Sequence, residues 1–282
     1  MLVNLQTVLK EGMKRGIGIP AINTPNLETI IAAIKVAEKY NIPLILAHAQ
    51  LHESVIDIET IGPVMLHFAK AAKVPVCVHL DHGESVEFCK KAIDLGFTGV
   101  MIDASSLPYD ENIKTTQEVV EYAHARDVGV EAELGCLPNR ESGGVVEGDP
   151  AKLYTNPDDV VDFVGKTHVD ALAIAFGTAH GIYKVKPILS IDVVKKVREK
   201  TNIPLVMHGG SGLQHADYIN AINAGITKIN YYTYMSYDGY AAAKELIERE
   251  PTGFYHDICT VATEAETRKL IEIFGVFSKK IK

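Results

Sequence analysis

Short apolar runs rich in β-branched residues recur along the chain, and each is followed by a stretch whose apolar positions repeat at the helical period. The runs are "GIPAIN" (Gly18 to Asn23), "PLILAHA" (Pro43 to Ala49), "VPVCVHLD" (Val74 to Asp81), "GVMIDAS" (Gly99 to Ser105), "GVEAELG" (Gly129 to Gly135), "ALAIAFG" (Ala171 to Gly177), "PLVMHGG" (Pro204 to Gly210) and "ITKINYY" (Ile226 to Tyr232). Helix-like stretches between them include "SVEFCKKAIDLG", "NIKTTQEVVEYAHA", "NPDDVVDFVGKT", "SIDVVKKVREKT" and "HADYINAINAG". After the first run, Leu27, Ile30, Ile31 and Ile34 make one apolar face, with Pro25 placed where an N1 proline belongs. Leu2, Leu5, Val8 and Leu9 predict a short amphipathic helix ahead of it. Strands that are apolar nearly throughout and alternate with helices predict parallel strands covered on both faces. Eight such units predict an α/β fold, a closed (β/α)8 TIM barrel. It runs as one domain over residues 1–282, with a C-terminal helical extension; an open doubly wound sheet is the alternative.

Composition narrows this little but excludes several classes. A chain of 282 residues suits one barrel, and 47% hydrophobic with 23% charged residues is ordinary for a water-soluble protein. No run approaches the roughly 18 apolar residues of a membrane span, and the N-terminus lacks the layout of a signal peptide. Cys77, Cys89, Cys136 and Cys259 form no CxxC pair, which points to reduced thiols and a cytoplasmic protein. A net charge of −8 argues against nucleic acid as a partner.

The chemistry gathers at strand ends. His82 follows the third strand, His180 lies in "GTAHG" after the sixth and His208 in "MHGGSG" at the end of the seventh. In a barrel these ends open on one face, where active sites of this fold sit. Three converging imidazoles with a position left open make the ligand set of a catalytic zinc site. Alternation puts His79 and Asp81 on one strand face and Leu80 and His82 on the other, so spacing leaves His79 and His82 both open as the ligand. Asp81, Asp103, Glu131 and Glu133 bring carboxylates to the same mouth, which implies a cation or a catalytic acid. "HGGSG" and "NYYT" close the seventh and eighth strands, where barrels commonly bind phosphate through backbone N–H groups. The longest connection, Cys136 to Asn156, follows the fifth strand and would lie over that face.

These motifs, in order and over almost the whole chain, resemble the zinc-dependent class II ketose-bisphosphate aldolases, the fructose- and tagatose-bisphosphate aldolase family: "IPAIN", "NLETI", "VHLDHGES", "GVMIDAS", "ENI", "VEAELG", "YTNP", "AIAFGTAHGIY", "PLVMHGGSG" and "KIN..T". The resemblance implies His82, His180 and His208 as zinc ligands, with Asp103 and Glu133 able to hold zinc in an alternative position. It makes Asp81 the acid at the C4 oxygen as the C3–C4 bond breaks. It implies that Asn23, Gly181, Gly209, Gly210, Ser211, Asn230 and Thr233 hold dihydroxyacetone phosphate, with a monovalent cation, Na+ or K+, assisting near the phosphate. A loop glutamate eight positions beyond Glu133, which is Glu141, would serve the C3 proton. The substrate would be a small phosphosugar and the assembly a homodimer or homotetramer.

Three stretches around the expected pocket depart from the family pattern. The loop reads "LPNRESGG", the segment after the second strand "AHAQLHES", and the eighth strand ends "NYYTYMS". His48, Gln50 and Arg140 are therefore candidates for an altered aldehyde pocket, fitted to an acceptor with a different anionic head group; the plain alternative is a fructose- or tagatose-bisphosphate aldolase with idiosyncratic loops. Two other readings compete: a zinc-dependent barrel hydrolase, which needs no phosphate cradle, and a catalytically silent phosphosugar-binding barrel.

Overall fold

The computed structural model describes residues 1–135, 153–183 and 186–281. Eight parallel strands, β1 (Ile19–Asn23), β2 (Leu44–Ala49), β3 (Val76–Gly83), β4 (Gly99–Ile102), β5 (Gly129–Leu134), β6 (Ala171–Ile174), β7 (Leu205–Met207) and β8 (Ile226–Tyr231), pair in sequence order and close, β8 against β1. The closure rules out the open sheet. Nearly every strand residue is buried, because helices cover the outside while side chains fill the inside. β4, β6 and β7 end earlier than the apolar runs suggest, their trailing "DAS", "AFG" and "HGG" leaving the ladder to form the rim, whereas β3 runs two residues further, to Gly83.

One end of the barrel is plugged. Helix α1 (Leu5–Arg15) is capped by Asn4, whose side chain accepts the Thr7 N–H, and ends at Gly16 in the left-handed region (φ 62°). Leu5 packs on Gly99 and Gly129, the first residues of β4 and β5, where an added Cβ would come within 3.1 and 2.7 Å of Leu5 Cβ. The strand N-termini are thereby sealed, and chemistry is confined to the opposite end.

Helix α2 (Leu27–Tyr40) differs from expectation at its start: Asn26 is the cap, accepting the Thr29 N–H, so Pro25 precedes the helix instead of opening it. Its buried face contains Ile30, Ala33, Ile34 and Ala37, while Leu27 and Ile31 are exposed. Helices α3 (Ile58–Ala71), α4 (Val86–Asp94), α5 (Tyr109–His124), α6 (Pro157–Thr167), α7 (Ile191–Lys200) and α8 (His215–Ala224) follow in the outer ring. Helices α9 (Thr233–Arg249) and α10 (Tyr255–Phe277) pack on each other, and α10 also lies against α2, burying Leu270, Ile273, Phe274 and Phe277. Among the described residues, no helix is long and apolar enough to cross a membrane.

Candidate active site

At the open end, the ladder of β3 slips between Leu80 and Gly83, and His82 adopts a left-handed backbone (φ 49°). The irregularity frees His82 from strand alternation and turns its ring over the mouth. The turn falls on His82 itself. Gly83 is required beside it, since a Cβ there would meet Cys89 Sγ and the Met101 carbonyl at 2.7 Å. His79 stays three residues back along the strand, fully buried inside the barrel. The rings of His82, His180 and His208 lie 4.4 to 5.8 Å apart, and one donor atom from each falls within 4.8 Å of the others.

The donor set suits a metal ion. His82 Nδ1 and Asp103 Oδ2 are 2.7 Å apart. An ionised carboxylate only accepts, so Nδ1 keeps its proton and Nε2 is the nitrogen left for a metal ion to take in place of a proton, an atom that is buried without a hydrogen-bond partner among the described residues. His82, Asp103 and Glu133 form a second group of similar span. Burial alone would lower the His82 pKa, but Asp81, Asp103 and Glu133 outweigh it and raise it to about 9. Burial, followed by the charge of Asp103, pushes Glu133 up to about 8. Both shifts report a negative local field that favours an added positive charge.

Asp81 is 3% exposed and accepts from two side-chain amides: Asn23 Nδ2 at 3.0 Å and Asn230 Nδ2 at 2.8 Å. Burial opposes its ionisation, but His82 and then Lys228 hold it well below the usual carboxylate range. Beside it lies a cavity of about 320 Å³ lined by Asn23, Asp81, His82, Asp103, Glu133, His180, Gly181, Gly209, Gly210, Ser211, Asn230 and Thr233, among others. Gly209 (φ 61°) passes so close to Ala179 that a Cβ would come within 2.3 Å of its carbonyl oxygen. Tyr183 ties the two loops, its hydroxyl accepting from Ala179 N–H and donating to the Gly209 carbonyl, both at 2.8 Å. Ser211 Oγ accepts the Tyr232 N–H at 2.9 Å, and Thr233 opens the 17-residue α9. Glycines and a helix N-terminus facing one cavity are a ready anion cradle.

The aldehyde-pocket candidates separate. His48 is fully buried and its Nε2 is paired with Glu53 Oε1 at 2.8 Å, while Gln50 Oε1 accepts the Glu84 N–H at 2.8 Å; neither lines the cavity. The wall is made instead by Leu51, His52 and Tyr232, because Gln50–Ser54 folds into a 3-10 turn that carries His52 inward. His52 packs on Tyr232 with ring centroids 5.0 Å apart, and its Nδ1 is buried without a hydrogen-bond partner among the described residues. Arg140 and Glu141 lie outside the described residues.

Glu131, expected at the mouth, lies instead below the cavity on its floor, beside Lys228, which the sequence reading did not single out. Glu131 and Lys228 are both fully buried, with Lys228 Nζ 2.9 and 2.8 Å from the two carboxylate oxygens. The available signal was a lysine inside the apolar run "ITKINYY".

Residues 3–279 match the family described as fructose-bisphosphate aldolase class-II. The fructose-bisphosphate aldolase of Geobacillus stearothermophilus is 39% identical over 253 residues, 89% of this chain and 87% of that protein. The YdjI aldolase of Escherichia coli K12 superposes with a TM-score of 0.86 at 31% identity, covering 98% of this chain and 97% of the other. A putative fructose-1,6-bisphosphate aldolase from Coccidioides immitis gives 0.86 at 26% identity, covering 99% of each chain. The chain thus belongs to the class II fructose-bisphosphate aldolase family and is an aldolase, a carbon–carbon lyase.

Proposed function

We propose that this enzyme is zinc-dependent and reversibly cleaves a ketose 1-phosphate or 1,6-bisphosphate to dihydroxyacetone phosphate and an aldehyde. The observation that carries the reading is the convergence of three imidazole donor atoms within 4.8 Å, beside Asp81 and the glycine cradle. His82, His180 and His208 would hold the zinc, with Asp103 and Glu133 available for a second position. When bound, zinc supplies a Lewis acid for the substrate's ketone and hydroxyl oxygens, which stabilises the charge left at C3.

The protein residues supply the rest. Gly181, Gly209, Gly210, Ser211 and Thr233 bind the phosphate, with a monovalent cation alongside. Asn23 and Asn230 hold the Asp81 carboxylate by its two oxygens and favour its ionised form. Ionised Asp81 therefore takes the C4 hydroxyl proton during cleavage and returns it during condensation, so its acid role belongs to the condensation direction. The proton at C3 is assigned to Glu141 and the head group of the aldehyde to Arg140. The working form is a cytoplasmic homodimer or homotetramer.

The test is exchange of the C3 proton of dihydroxyacetone phosphate with solvent, without aldehyde. Exchange should be stereospecific, vanish with chelator and return with zinc. Folded, zinc-loaded protein that exchanges nothing would overturn the proposal.

A further inference from the structure

Glu131 cannot touch substrate, because it lies below the cavity with no exposed surface. Its contacts point to another task. Oε1 lies 2.9 Å from His208 Nε2, and the ionised carboxylate can only accept, so the ring proton is placed on Nε2 and the lone pair on Nδ1. The surroundings of Nδ1 agree: the Asn230 amide Nδ2, a donor, sits 3.1 Å away and also contacts Asp81. Lys228 Nζ bridges both Glu131 oxygens and neutralises the charge beneath the imidazoles, while His79 Nε2 closes the floor 3.6 Å from Oε2. A buried ion pair adds little net stability, since dehydration offsets its attraction, so stability alone does not account for this one. A carboxylate behind a metal-ligating imidazole, by contrast, fixes tautomer and ring angle together.

We propose that Glu131, held in place by Lys228, is a positioning residue that sets the tautomer and orientation of the His208 ring, so that Nδ1 is presented to the metal ion. The assignment rests on the zinc reading above. It differs from the hold on His82, where Asp103 does the equivalent task from within the cavity and can also meet solvent or ligand.

Two charge-free double variants test it: Glu131→Leu with Lys228→Met, and Glu131→Gln with Lys228→Met. Only the second keeps an oxygen for His208 Nε2–H. Zinc affinity is read by chelator competition, the ligand field by visible absorption of the cobalt-substituted protein, and folding by thermal unfolding of the metal-free protein. The leucine variant should fold with a Tm close to wild type, bind zinc about 10- to 100-fold more weakly and show a shifted cobalt band. The glutamine variant should recover most of the affinity and the wild-type band. Zinc affinity in the leucine variant within about threefold of wild type overturns the assignment, as does equal weakening in both variants. Should the leucine variant fail to fold, Glu131→Met with Lys228→Met makes the same comparison. Wild-type protein that takes up no zinc would overturn the zinc reading along with it, whereas normal uptake by wild type and leucine variant alike removes Glu131 only.

Discussion

Glu131 and Glu133 stand two residues apart on the same face of β5, both buried, and behave oppositely. Burial opposes ionisation in each, but Lys228 and His208 pull Glu131 down to about 2, whereas Asp103 adds to burial and pushes Glu133 up to about 8. Two residues along the strand separate a carboxylate whose partner is built into the fold from one whose site favours added positive charge. Residue type and strand face are the same; the partners across the barrel decide.

Removing Lys228 alone should break the contrast most severely. Lys228→Met leaves Glu131 buried without a counter-charge and should cost about 3–5 kcal/mol of stability, read by urea unfolding. A loss below about 1 kcal/mol would mean that other groups neutralise Glu131.

A third glutamate extends the comparison beyond the site. Glu266 on α10 is buried, accepts from Thr29 Oγ1 at 2.9 Å, and is raised to about 7, chiefly by burial. With the folded pKa above the unfolded one, the native state binds the extra proton between about pH 4.5 and 7. Its contribution to stability is therefore present below that window and lost as pH rises through it, up to about 3 kcal/mol in all. Glu266→Gln should flatten that part of the stability profile; an unchanged slope would show that Glu266 is not its source.

Asp103→Ala sharpens the upper half. It removes both the charge that keeps Glu133 protonated and the acceptor that fixes His82 Nδ1–H. Zinc affinity by chelator competition should fall about 10- to 100-fold. The smallest effect is expected at the cavity wall, where His52→Ala should lower kcat/KM for condensation with hydroxylated aldehydes about 10-fold, with C3 proton exchange much less affected. Equal losses in both assays would place His52 in the dihydroxyacetone phosphate half instead.

Much of the fold was legible because apolar runs of strand length, alternating with helical periods, leave few ways to bury both faces of each strand. The three imidazoles were legible for the same reason, as strand ends share one rim. The choice between His79 and His82 was open to the family resemblance but not to strand spacing, because it depends on the left-handed backbone at His82 and the slipped β3–β4 ladder. His48 and Gln50 drew attention by type, yet β2 buries His48 against Glu53, and the 3-10 turn sends Gln50 to the Glu84 backbone and leaves His52 on the wall. Pro25 was misplaced by one cap, since Asn26 offers the first turn a side-chain acceptor that proline lacks.

The sequence by itself determined the alternation of elements, the side of the barrel on which chemistry can occur, and the residue types available there. These follow from local periodicity and from the fixed direction of parallel strands. The tertiary structure alone decided which acid is paired and which is not, because Glu131 meets Lys228 across 97 positions of chain and Glu133 meets Asp103 across the neighbouring strand. Electrostatic energy depends on distance and burial in space, and neither is written in the order of the residues.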